Sequence, residues 1–130
     1  MGSTALVEAC KNGRDNVVKL LLDRGAYIEE RETRSRLSAL SWACARGQKN
    51  AAKMLLDHEA NLLARDTQGS TSLHHACSYG NNSIVTILLD HGADINAKSK
   101  TGNTPLHIIC ERTGKKEVIR SLLKNRLSKQ

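Results

Sequence analysis

An all-α solenoid of four stacked helix-turn-helix units is the fold this sequence predicts, and three observations predict it. The segment Thr71-Ser72-Leu73-His74-His75-Ala76-Cys77 recurs in altered form as Thr104–Cys110 downstream and as Ser38–Cys44 and Thr4–Cys10 upstream. The cysteines that end the copies stand at 10, 44, 77 and 110, in steps of 34, 33 and 33 residues. Behind each copy lies an apolar pattern at i, i+1, i+4 and i+5, the spacing of one stripe along a helix. A period near 33 marks supersecondary units that bury their apolar faces only against one another. The single domain divides into units at about 4–37, 38–70, 71–103 and 104–130.

Each unit justifies its elements in the same order. Thr4, Ser38, Thr71 and Thr104 place a hydroxyl where it can cap free amides at a helix start. Pro105 follows in the last unit, at the first helical position, where its missing N–H costs nothing. A short helix then runs to Gly13, Gly47, Gly80 or Gly114, the turn between two antiparallel helices. The second helices carry the stripe: Val17, Val18, Leu21, Leu22; Ala51, Ala52, Leu55, Leu56; Ile84, Val85, Leu88, Leu89; Val118, Ile119, Leu122, Leu123. Asp23-Arg24-Gly25 and Asp90-His91-Gly92 stop two of them, with Gly as a left-handed cap. The polar connections, such as 61–70 and 94–103, read as extended arms closed by a tight turn.

Composition narrows what such a chain does. With Trp42, Tyr27 and Tyr79 as its only aromatics, the core is built from Leu, Ile, Val and Ala. No run approaches the length of a membrane span, and no basic-then-apolar leader opens the chain. The four cysteines sit at equivalent positions of neighbouring helices, roughly 8–10 Å apart, beyond the reach of a disulfide at about 7 Å. No Cys-x-x-Cys pair is present, and His74-His75-x-Cys77 is too poor a spacing for a metal. Four small buried thiols in a reducing compartment are expected. Residues 111–130 carry seven Lys or Arg against two Glu, a net +5 of the chain's +7. Charge confined to one end, without interleaved aromatics, argues against nucleic-acid binding. Lys115-Lys116 and the basic tail through Lys129 read as solubility and helix-dipole features.

Thr104-Pro105-Leu106-His107, the run Leu88-Leu89-Asp90-His91-Gly92-Ala93-Asp94-Ile95-Asn96-Ala97 and the 33-residue period resemble the ankyrin repeat across the whole chain. The resemblance implies an L-shaped stack of helix pairs with short β-hairpin fingers at one side. It also implies that a partner protein lies in the groove of fingers and inner helices, with neither catalysis nor a cofactor. Departures from the pattern are local. The first finger, 26–37, is one residue longer than the others and has Arg36 near where Gly69 and Gly102 stand. Glu59 occupies the cap position that Gly25 and Gly92 fill.

His74 and His107 hold the Thr-Pro-Leu-His position, where the resemblance implies that the imidazole hydrogen-bonds neighbouring backbone; no acid or nucleophile is spaced to form a triad with either. Trp42 is equivalent to His75 and Ile108, and is either partly buried against the next unit or an aromatic anchor in the groove. Tyr79, just before its turn glycine, is the better anchor. Arg34, Arg46, Lys100 and Arg112 fall at family-variable positions. With Trp42 and Tyr79 they make the expected partner surface; Glu29, Glu30, Glu32, Asp66 and Glu111 dilute the charge, so a solvated mixed surface is the default reading and a groove that prefers an acidic or phosphorylated segment the sharper one. Leu88 to Asn96 resembles the spacing recognised by the oxygen-dependent asparaginyl hydroxylase that modifies ankyrin repeats, which makes Asn96 a candidate for hydroxylation. The plainer reading, in which the Asn96 side chain orders its turn, is preferred. The expectation is a monomeric, cytoplasmic or nuclear interaction module that binds protein or peptide and neither nucleic acid nor membrane. The alternative is a spacer, or a fragment of a larger scaffold or effector whose activity lies in another domain.

Overall fold

A computed structural model describes residues 4–128, so Lys129 of the basic tail lies outside the described residues. Eight helices follow in order: α1 (Ala5–Lys11), α2 (Asp15–Asp23), α3 (Ala39–Ala45), α4 (Lys49–Asp57), α5 (Ser72–Tyr79), α6 (Asn82–Asp90), α7 (Pro105–Arg112) and α8 (Lys116–Ser128). Helices α1, α3, α5 and α7 pack in sequence as one layer, and α2, α4, α6 and α8 as a second. The hydroxyls cap as their positions require. Thr4 Oγ1 accepts from the Val7 amide at 3.2 Å, Ser38 Oγ from Ser41 at 3.1 Å and Thr104 Oγ1 from His107 at 3.4 Å.

The apolar stripe has two halves with different neighbours. All four stripe residues of α4 and of α6 are buried. In α2 the second half, Val18 and Leu22, is buried, while Val17 of the first half is 44% exposed. In α8 the reverse holds: Val118 and Leu122 are buried and Leu123 is 41% exposed. The first half of each stripe therefore packs on the preceding helix pair and the second half on the following one.

Among the described residues, two adopt the left-handed backbone without being glycine. Glu59 has φ 64° and Arg36 φ 61°, matching Gly25 and Gly92 in the first case and Gly69 and Gly102 in the second.

The fingers differ from the expected β-hairpins. Among the described residues there is no strand, only one antiparallel bridge between Arg31 and Ser38. Two backbone bonds close each turn: Glu32 N–H to Leu37 O at 3.0 Å with Arg36 N–H to Glu32 O at 2.9 Å, Asp66 N–H to Ser70 O at 3.0 Å with Gly69 N–H to Asp66 O at 2.9 Å, and Ser99 N–H to Asn103 O at 2.9 Å with Gly102 N–H to Ser99 O at 2.9 Å. Both bonds sit at the turn itself, which is too little pairing for a ladder. Neighbouring fingers are instead tied to one another. The Thr67 N–H donates to Ser35 O at 3.0 Å and the Lys100 N–H to Gln68 O at 2.9 Å. Arg31 Nη1 reaches Arg65 O at 2.7 Å, and Arg65 Nη1 reaches Lys98 O at 2.6 Å.

The expectation of four buried thiols is corrected at one position. Cys10, Cys44 and Cys77 are buried, whereas Cys110 is exposed. Cys110 lies on α7, at the end of the described stack, where no further described helix covers it.

Candidate protein-binding groove

Trp42, on α3, is held half-buried between two cations contributed by different helix pairs. The Lys11 ammonium, at the end of α1, lies 4.1 Å from the ring centroid, and the Arg46 guanidinium carbon 5.3 Å from it. Both distances fall within the range of cation–π attraction. The indole Nε1 is buried and has no hydrogen-bond partner among the described residues. A buried N–H left unpaired costs about 1–3 kcal/mol relative to a satisfied one. Lys11 is itself fixed by Glu32 of the first finger at 3.4 Å and by Glu8 at 3.8 Å. A 2.7 Å hydrogen bond from the Ser35 hydroxyl holds the Glu32 carboxyl below its usual range; burial opposes this and Lys11 adds to it.

His75 takes the Trp42 position on α5. Its Nε2 lies 2.8 Å from Asp66 Oδ2, and the Asp66 side chain is 4% exposed. The other carboxylate oxygen of Asp66 accepts from the amides of Gln68 and Ser70, so one side chain shapes the second finger and ties it to α5. Burial pushes the Asp66 carboxyl up, but the bond from His75 and the two amides outweigh it and hold the group below the usual range. His74 beside it is structural. Its Nδ1 accepts the Thr71 amide at 3.1 Å, which leaves Nε2–H to donate at 2.8 Å to Asn103 O, at the end of the third finger just before α7. Burial holds this imidazole below its ordinary value of 6.5, favouring the neutral tautomer that the two bonds require.

Tyr79 is 51% exposed and lies against the turn of the preceding helix pair. A Cβ built on Gly47 would stand 2.3 Å from its ring, so only glycine fits beneath it. The same relation recurs where the Gln48 side chain covers Gly13 and where Thr113 and Lys115 cover Gly80. Of the six expected surface residues, the structure brings Trp42 and Arg46 into contact and sets Tyr79 over Gly47, next to Arg46. Arg34 and Lys100 are exposed on the first and third fingers and Arg112 on the last turn of α7. No hydrogen bond, ion pair or ring contact joins these three to the Trp42 group among the described residues. Asn96 is exposed, and its turn is ordered by the neighbouring Asp94, whose carboxylate accepts the Asn96 amide at 2.9 Å. That corrects the role expected of the Asn96 side chain.

The Lys11–Trp42 and Asp66–His75 pairs were not foreseen. The first joins two helix pairs, and a linear pattern does not say which polar residue beside one turn reaches the aromatic of the next unit. No group of His, Cys, Asp and Glu among the described residues could hold a metal ion. No described helix is long and apolar enough to cross a membrane.

Comparison with known proteins bears on the whole length. The model for ankyrin repeats (three copies) matches residues 29–99 and 61–130, and the model for a single ankyrin repeat matches residues 1–32. No curated protein matches the chain.

Proposed function

This chain belongs to the ankyrin-repeat family, and on that premise we propose that it is a non-catalytic module binding a partner protein or peptide across its fingers and inner helices. Members of the family generally bind other proteins. The observation that carries the finer reading is Trp42: an aromatic face flanked by Lys11 and Arg46, with the half-exposed Tyr79 over the turn at Gly47. Arg46, which makes no ion pair among the described residues, suits an acidic segment beside the ring, and the exposed Arg34, Lys100 and Arg112 extend the same preference along the stack. The buried free thiols of Cys10, Cys44 and Cys77 support a reducing compartment, cytoplasmic or nuclear.

Trp42 is the sole tryptophan, so its emission reports directly on this site. Titration with an aspartate- and glutamate-rich peptide should shift that emission, and the amide counterpart of the peptide should not. Arg34→Ala with Arg46→Ala should slow association most at low salt, since rim charges act chiefly on encounter. Tyr79→Ala should weaken binding about thirtyfold at any salt, the equivalent of about 2 kcal/mol for an aromatic hot spot. Lys53→Ala and Thr86→Ala, on the second layer, should change nothing. Loss of binding through these two alone would overturn the groove reading in favour of a spacer.

A further inference from the structure

One position is a cation in all three fingers. Arg31, Arg65 and Lys98 stand at equivalent places, in steps of 34 and 33 residues. Arg31 Nη1 donates to Arg65 O, and Arg65 Nη1 donates both to Gly69 O at 2.8 Å and to Lys98 O. Carbonyl bonds of this kind hold a guanidinium in place and leave its charge uncancelled. None of the three cations makes an ion pair among the described residues. The carboxylates next in sequence are engaged elsewhere, Glu32 with Lys11 and Ser35, and Asp66 with His75. The fingers thus carry a row of fixed positive charge at the repeat of the fold.

We infer that this row receives a peptide in the polyproline II conformation with a carboxylate at every third residue. The inference rests on the reading that fingers and inner helices bind an acidic segment, and adds its spacing and conformation. Units stacked through packed helices repeat at roughly 8–10 Å, and the bonds between fingers carry that repeat to the row. A polyproline II chain has three residues per turn and rises about 9 Å in that turn, so every third side chain returns to one face. A β-strand does not match: its second residues are about 7 Å apart and its third residues point to the opposite face. A strand also needs open backbone groups at the edge, and the Thr67 and Lys100 amides are already bonded to Ser35 O and Gln68 O. A helix meets the pitch with residues seven apart, about 10.5 Å, but docks through an apolar stripe. Residues 31–36, 65–70 and 98–103 are all polar or glycine. None of them is aromatic, so a nucleic-acid strand finds no stacking platform in the row. Arg65, held at the centre by two carbonyls, has little freedom left to lose on binding.

Fluorescence anisotropy of labelled peptides, with the full chain at low salt, tests it. Glu-Pro-Pro-Glu-Pro-Pro-Glu should bind about fivefold tighter than Glu-Glu-Glu-Pro-Pro-Pro-Pro, which has the same composition and charge. That is the effect of one exposed ion pair at the upper end of its usual range. Lys98→Gln removes an exposed cation that no bond ties to the fold, and it should cost the spaced peptide about the same factor. Against Glu-Pro-Pro-Glu-Pro-Pro-Gln it should cost only about twofold, the loss of one of two registers. Arg31→Gln tests the other end of the row in the same way, and circular dichroism confirms that each variant is folded. Equal affinity for the spaced and clustered peptides overturns the inference. The acidic reading survives that result if an aspartate- and glutamate-rich peptide still shifts the Trp42 emission, and falls with it if the shift is absent. Tighter binding of an alanine-based helix with glutamates seven apart overturns the conformation, and tighter binding of a thymidine oligonucleotide overturns the class of partner.

Discussion

Glu59 stands where the chain needs a left-handed residue, and its replacement by glycine should stabilise the protein. Its amide bonds Leu56 O at 2.9 Å and the following Ala60 amide bonds Leu55 O at 3.0 Å. Gly25 and Gly92 end their helices with the same pair of bonds. At those glycines an added Cβ would meet nothing within 4 Å, so the cost at Glu59 is one of backbone conformation and not of crowding. The Glu59 side chain is exposed and makes no hydrogen bond or ion pair among the described residues, so nothing offsets that cost. A non-glycine residue in this region costs about 1 kcal/mol. Glycine's larger unfolded-state entropy returns about half of the gain, leaving a net stabilisation of about 0.5 kcal/mol. For 130 residues that corresponds to a rise in Tm of about 2 °C by calorimetry. Glu59 also places an anion at the C-terminal end of α4, against the helix dipole. Glu59→Gln separates the two effects, because it removes the charge and keeps the Cβ. If Glu59→Gln stabilises as much as Glu59→Gly, the strain argument is refuted and the dipole accounts for the gain.

Two further outcomes follow from single side chains. His74 is held below its ordinary 6.5 by burial, so the unfolded chain takes up that proton first as pH falls. Stability present above pH 6.5 is then lost as pH drops through the lower folded value; the urea midpoint should fall between about pH 7.5 and 5, and His74→Asn should flatten that slope. An unchanged slope in the variant would remove His74 as the cause. Among the thiols, burial pushes Cys10 and Cys77 up to about 12 and Cys44 higher still, while Cys110 is exposed. Alkylation of the native protein followed by mass spectrometry should label Cys110 rapidly and the other three only on unfolding. Equal labelling of all four would contradict the packing described.

Much of the fold is legible because it repeats. The cysteine period, the hydroxyl caps and the double-residue stripe each state the same unit four times, and a helix pair with one apolar stripe has few ways to bury it. Arg36 and Glu59 were readable for the same reason, since each interrupts a column of glycines that the backbone requires. What depends on neighbours was not readable. Cys110 has the same local pattern as Cys77 and differs only in what lies beside it. The fingers carry turn residues suited to hairpins, yet whether two arms form a ladder depends on how many bonds close between them. Around Trp42 the aromatic and Arg46 are apparent from their positions, but the approach of Lys11 is a product of stacking between units. Asp94 and Asn96 are both turn formers, and only the backbone shows which one accepts the other's amide.

The bonds between successive fingers give the molecule an unequal response to load. Along the helices, neighbouring pairs are held by broad apolar contact, which lets surfaces shift a little before they separate. Along the finger edge the links from Ser35 to Thr67 and from Gln68 to Lys100, reinforced by Arg31 and Arg65, are directional and fail steeply once stretched or tilted. The edge is thus brittle and the helical side compliant. Bending that compresses the fingers is borne by contact, whereas bending that spreads them breaks one link at a time. A ligand spanning two fingers acts as a splint across the weaker seam.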